Sequence, residues 1–563
     1  MQRRAFLATT AALPFALKAS AKEASLPAAT PLHARYRLTR DRILHGSSPA
    51  YTPDFLLEDI TATPGRRFTN FSGDVSGRWV GALATASVTY GDHFPTLTPV
   101  VQRILALQHP EGYFGKIFHF DHPDDNDLAL LWGNGRLLIG LMEYHALTQD
   151  PATLASAKKL GDFLVRLGSK YNSQAMADEF GASHFASSYI CWTQQTEGLA
   201  ALYAATQDPR YRDLCKDISH RIDRRPADHV HGYLSSLRGT MSLHALAPDP
   251  ALLALVEREW SSVMDSNDVL ITGGVPEAWS PKRLRTEGCA ECDWLRLNLQ
   301  LWQATGNAKY LEMAERTIFN EFAMNQFATG DFGHGELDPE GIPNYLRVRA
   351  WWCCTLHGMR AFADVSRSIL HVEGTQATFA LPVDGTHTSE SLSLTSSSTL
   401  ATNGTVTLQV KKATGQTLTI RHPQWAQSIR ITRNGIPTSG PSVASLKPGD
   451  TIAIIYAMSH RNEPWAKTGE AFWYGPWLLG AASSVNPGYF NELQRHNRVS
   501  PATLKPTPER ITTPFHVPSA AAQLQYLPAE FPEQPQTVEL RAVAEQTSMP
   551  STPWQLTFNT NDL

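Results

Sequence analysis

The chain has 563 residues, far more than a single hydrophobic core usually holds, so two or more domains are expected. Its 49 basic and 53 acidic residues leave no global field to draw nucleic acid or an anionic membrane, and a neutral, polar ligand is the easier partner. The 14 tryptophans and 16 tyrosines are compatible with sugar stacking without requiring it.

The amino terminus, MQRRAFLATTAALPFALKASA, sets Arg3 and Arg4 ahead of an apolar run from Ala5 to Leu17, with Ala19, Ser20 and Ala21 behind it. Residues 1–21 read as a removable export signal of the twin-arginine type, with an ordinary secretory signal that carries two arginines as the alternative. The run is too short for a hydrocarbon core of about 30 Å. No membrane span is expected, and the mature protein is expected in the periplasm or outside the cell.

Residues 35–370 carry a helical pattern, with amphipathic stretches such as ATLASAKKLGDFLVRLG and LALVEREWSSVM. Similar breaks recur at Asp150, Asp208, Asp249 and Asn307, spaced 58, 41 and 58 residues apart. Each pairs Asp-Pro or Gly-Asn as a stop and restart, so each interval holds about one helical hairpin. Repeated hairpins of this length imply a solenoid or a closed toroid, and an (α/α)6 barrel is the compact solution. Residues 371–563 switch to short alternating runs such as TVTLQV, TLTIRH and DTIAIIYAM, which predict a β-sandwich.

The six cysteines are Cys191, Cys215, Cys289, Cys292, Cys353 and Cys354. Adjacent residues such as Cys353 and Cys354 make poor geometry for a bridge with each other, so the CxxC followed by CC reads as a thiolate metal site. Cys191 and Cys215 read as core residues or an incidental disulfide. In TEGCAECDWLRLNLQLW at 286–302 and RAWWCCTLHGMRAFADV at 349–365 the cysteines stand where an amphipathic helix begins. Free N–H groups and the positive dipole end there favour thiolate over thiol. A tetrahedral ion needs four ligands, and the candidates are Glu287, Cys289, Cys292, Cys353 and Cys354. Spacing alone favours the pair Cys289 and Cys292, with Glu287 and Cys289 as the alternative bite.

These residues resemble glycoside hydrolase family 127, the β-L-arabinofuranosidase family. DVSGRW at Asp74, HPEGYFG at Tyr113, GGVPEAW at Glu277, EGCAEC and WWCC occur in that family's order. The resemblance implies one zinc ion per chain on Glu287, Cys289, Cys353 and Cys354, with Cys353 as nucleophile, Glu277 as general acid/base and Cys292 as the spare residue. Retaining hydrolysis of an oligosaccharide or other glycan would follow, with a thiolate in place of one of the usual two carboxylates. Trp279 would favour a raised pKa at Glu277 through desolvation. Arg136 stands where better-known members of the family carry a histidine, so the sugar bound is open. With Arg136, Trp279, Trp352 and His357 are candidates for substrate contact. Two other readings remain: a toroidal hydrolase or lyase using carboxylates with a remote structural metal, and a non-catalytic glycan-binding protein.

Overall fold

The computed structural model describes residues 31–46, 49–66, 68–181, 188–223, 229–266, 268–279, 285–336, 349–465, 469–491, 498–506, 522–527, 536–545 and 554–559. The export signal predicted at 1–21 lies outside them. Among the described residues no helix is long and apolar enough to cross a membrane.

Twelve helices build a closed double ring. They are α1 (Leu32–His45), α2 (Asp74–Tyr90), α3 (Leu97–Leu105), α4 (Asp125–Thr148), α5 (Pro151–Tyr171), α6 (Thr196–Thr206), α7 (Pro209–Ser219), α8 (Val230–Leu246), α9 (Pro250–Asp265), α10 (Gly288–Thr305), α11 (Ala308–Arg316) and α12 (Trp352–Arg367). The even-numbered helices pack on one another in order, and α12 returns to α2, so the toroid is closed; the odd-numbered helices lie outside, each against an inner neighbour. This is the (α/α)6 barrel expected from the repeated hairpins.

Inner and outer helices differ in sequence for a physical reason. Outer helices α5, α7 and α9 are amphipathic and bury one stripe, whereas α4 is buried around nearly its whole girth from Asp127 to Met142. Inner helices also approach closely: a Cβ on Gly77 of α2 would lie 2.5 Å from the Leu137 backbone of α4. The predicted breaks are helix starts. Asp150, Asp208, Asp249 and Asn307 each accept backbone N–H bonds as the N-cap of α5, α7, α9 and α11, and Pro follows the three aspartates as the first helical residue.

Strands begin beyond the barrel at Leu370–Glu373. A six-stranded and a four-stranded sheet, with alternating buried positions such as Leu392, Leu394, Val406 and Leu408 facing Phe379, Leu418 and Ile420, join the barrel in one continuous apolar core. A further sheet contains the hairpin Gly469–Tyr474 and Trp477–Ala482, onto which the short strands Phe558–Asn559 and Trp554–Gln555 return.

One small sheet belongs to the barrel itself. Strands β1 (Arg285–Glu287), β2 (Gly333–Glu336) and β3 (Arg349–Ala350) pair antiparallel in that order, with Glu287 opposite His334 and Gly333 opposite Ala350. β1 runs straight into α10, and β3 reaches α12 through Trp351 alone. The sheet therefore clamps the starts of two neighbouring inner helices side by side.

Candidate active site

That clamp brings four ligand atoms together. Glu287 ends β1, Cys289 lies in the first turn of α10, and Cys353 and Cys354 lie in the first turn of α12. Their donor atoms all fall within 4.8 Å of one another. Cys289 Sγ stands 3.7 Å from Cys354 Sγ, and Cys353 Sγ 4.0 Å from Cys354 Sγ. Neither helix start has a side-chain cap, so its positive end bears on the sulfurs. Cys353 is 8% exposed, whereas Cys289 and Cys354 are sealed. This buried group could hold a metal ion. Cys292 lies one turn further along α10, fully buried and outside the four-atom cluster. Cys191 and Cys215 are buried in the barrel core, and the Cys215 thiol donates to Thr196 O at 3.4 Å.

The protons of the three neighbouring thiols are unequal. Burial opposes charge on Cys353, but contacts with Cys289 and Cys354 and the charges of Arg78 and His334 pull its pKa well below the thiol range. Burial and the Cys353 charge push Cys289 and Glu287 up. A divalent cation at the centre would favour the ionised form of every donor.

Glu277 is held from both sides by the backbone. Its N–H donates to Arg285 O at 2.7 Å, and its carbonyl accepts from Val230 N at 3.0 Å at the start of α8. The carboxylate meets Arg285, which donates to Oε2, and His334, whose Nε2 lies 3.5 Å from Oε1. Glu277, His229 and Glu287 also form a cluster with ligand atoms within 4.8 Å, so the carboxylate stands beside the Glu287 edge of the cysteine group. Burial works against its ionisation, yet the His334 and Arg285 contacts win and hold its pKa down to about 2. The expectation of a pKa raised by Trp279 therefore fails: Trp279 is buried edge-on against Tyr233, and a cation sits on the carboxylate instead.

Beneath the cysteines lies a polar layer most of which sequence reasoning missed. Arg78 of α2 donates through Nε to Asp74 (2.8 Å), through one terminal nitrogen to Cys289 Sγ (3.6 Å) and His357 Nδ1 (3.2 Å), and through the other to His231 Nε2 (2.8 Å). Both histidines give their remaining N–H to Asp293, at 2.6 Å from His231 Nδ1 and 2.9 Å from His357 Nε2. Asp293 also accepts from Arg238 at 2.9 Å. Deeper still, Arg238 and Arg360 share Glu197, and Arg296 reaches Asp364. Each charge has a partner, the condition under which buried ions are tolerated. The only sequence signal for Arg78 was its place in DVSGRW.

The candidate substrate contacts separate. Trp352 is half-buried at the cluster, stacked on Trp351 at 4.7 Å and met edge-on by Phe55 and Phe68; Phe68 is 38% exposed. Trp351 in turn touches His334. His357 is fully buried, and both ring nitrogens are engaged by protein groups, so it has none left for a sugar. Arg136 is buried one helical turn beyond Trp132, with its guanidinium 5.3 Å from that ring and a bond to Ser235 Oγ at 2.8 Å.

Residues 65–367, more than half the chain, match the family model of the β-L-arabinofuranosidase GH127 catalytic domain. The chain is thus a glycoside hydrolase. Within that class it belongs to family GH127. Similar solved structures include a glycoside hydrolase (TM-score 0.69, 15% identity, covering 95% of this chain and 97% of that one). Another is a GH127 β-arabinofuranosidase (0.69, 16%, 95% and 98%), and a third is a GH127 β-L-arabinofuranosidase from Geobacillus stearothermophilus T6 (0.67, 15%, 94% and 97%). At these identities the likeness is one of fold, and it spans barrel and β region alike. No curated protein matches the chain in sequence.

Proposed function

We propose that the protein is an exported, retaining exo-glycosidase of β-L-arabinofuranosidase type that uses a zinc-bound cysteine thiolate. The observation that carries this reading is the convergence of Glu287, Cys289, Cys353 and Cys354 at two adjacent helix starts. The donor set fits zinc. A regular tetrahedron with zinc–sulfur bonds of about 2.3 Å has edges of about 3.8 Å, and the sulfur separations are 3.7 and 4.0 Å. Three sulfurs and one carboxylate also suit a borderline-soft ion better than magnesium or calcium.

Cys353 is the nucleophile because it alone of the three clustered cysteines reaches the surface. Its thiolate attacks the anomeric carbon while Glu277 protonates the departing glycosidic oxygen, leaving a thioglycosyl intermediate. Glu277, now ionised, takes a proton from water; the water oxygen displaces the sulfur and the thiolate is restored. Zinc, when bound, keeps the sulfurs ionised and steadies the departing thiolate. The contacts from Arg285 and His334 favour the ionised Glu277 required in the second step. The helix-start dipoles and Arg78 favour negative charge on the sulfurs throughout. Export by the twin-arginine route rests on Arg3, Arg4 and the apolar run behind them.

The test pairs metal content with turnover of a panel of nitrophenyl glycosides, for wild type, Cys353→Ser and Glu277→Gln. One zinc per chain, with hydrolysis of at least one substrate lost in both variants, supports the reading and names the sugar. Full activity in Cys353→Ser would move the chemistry to the carboxylates.

A further inference from the structure

We propose that Arg78 is the positioning residue of the thiolate centre, hydrogen-bonding the Cys289 sulfur so that Cys289 stays a spectator ligand while Cys353 remains the electron-rich, reactive sulfur. This rests on the zinc–thiolate reading above and goes beyond it, since it assigns what distinguishes sulfurs that share one ion.

Four observations carry it. His231, Cys289 and His357 place their ligand atoms within 4.8 Å of one another, a set that could itself hold a metal. The Arg78 guanidinium bonds to all three, so a fixed organic cation occupies the place of a second ion. The two histidines are locked as acceptors toward it, because each spends its N–H on Asp293. Finally, Arg78 is 3% exposed and anchored by Asp74, which also accepts from Trp132 Nε1 at 3.0 Å, so its fork cannot swing toward Cys353.

The chemistry follows from charge. Three thiolates and a carboxylate outweigh a divalent ion, and a buried cation beneath them offsets part of the excess. A charge-assisted N–H···S bond withdraws electron density from the sulfur that accepts it. Only arginine offers donors in a planar fork with this reach; lysine keeps the charge but not the geometry.

The experiment compares full-length wild type, Arg78→Gln, Arg78→Lys and Asp74→Asn, each loaded with cobalt(II) or zinc. The expected result for Arg78→Gln is a sulfur-to-cobalt charge-transfer band moved to longer wavelength, because the thiolate has lost its N–H donor. Zinc affinity, measured by competition with a chromophoric chelator, falls about 10- to 100-fold. Arg78→Lys recovers affinity but not the band position. Asp74→Asn loosens the anchor without removing the cation, and moves the band the same way by less; it carries the test if Arg78→Gln does not fold. An unmoved band in Asp74→Asn and in folded Arg78→Gln overturns the assignment of Arg78. Wild type that binds neither ion overturns the zinc reading instead.

Discussion

Cys289 and Cys354, 65 residues apart in sequence, hold their sulfurs 3.7 Å apart because α10 and α12 start from one three-stranded sheet. A CxxC bite would have put Cys292, one turn further along α10, in place of Glu287 as the fourth ligand. The two arrangements predict different variants. Cys292→Ala is expected to keep one zinc per chain, whereas Glu287→Gln and Cys354→Ser lower zinc affinity by at least about tenfold. Metal analysis after dialysis against a weak chelator reads this directly. Loss of zinc in Cys292→Ala would put that sulfur back among the ligands.

Arg285 makes the second prediction. The proposed mechanism asks Glu277 to donate a proton to the leaving group, and with its carboxyl held at about 2 that protonated form is scarce at neutral pH. Removing a cation raises a carboxyl pKa. Arg285→Gln is therefore expected to shift the alkaline limb of the kcat/KM profile to higher pH, since the acid stays protonated further up the scale. The shift should be largest for substrates with poor leaving groups, which depend most on protonation. A pH–rate profile with nitrophenyl and disaccharide substrates checks it; an unchanged limb would mean that Glu277 is not the group titrating there.

The same residues explain what could be read from sequence. The four outer-helix caps were legible because Asp-Pro and Gly-Asn act locally, through the side chain's own reach to the next N–H groups. The switch to strands at 370 was legible because alternation persists over several runs. The clamp β1–β3 was not, since GHGE and a two-residue strand carry no pattern, and only pairing with distant segments makes them strands. Arg78, His231 and Asp293 were hidden for another reason: they sit inside helices buried on all sides, where polar residues interrupt no amphipathic stripe. Arg78 meets Cys289 across 211 positions, a separation that no local rule spans.

A cap variant tests the local part of that account. Asp208 accepts from Arg210 N at 3.0 Å at the start of α7, on the outer ring and away from the cysteines. Asp208→Ala is expected to cost about 0.5–2 kcal/mol of stability, with kcat and KM of the folded enzyme unchanged. Urea unfolding alongside the kinetics separates the two; a change in KM with no loss of stability would contradict a purely capping role.

Acid should destabilise the fold through its buried histidines. Burial lowers His357 to about 3 and His229 to about 4, and drives His231 well below its ordinary value, with Arg136 and Arg78 adding to the effect. The unfolded chain, with histidines near 6.5, binds protons that the folded chain refuses between those values and 6.5. Stability therefore rises with pH through this window and is fully present above it. His357 and His229 each cost about 2 kcal/mol on going from pH 7 to pH 5, and His231 acts in the same direction. Urea unfolding of the zinc-loaded protein at the two pH values measures the sum. His357→Gln removes one titrating ring at the price of its bond to Asp293, so it should lower stability at pH 7 yet flatten the slope toward pH 5; an unchanged slope would show that His357 is not among the groups refusing the proton.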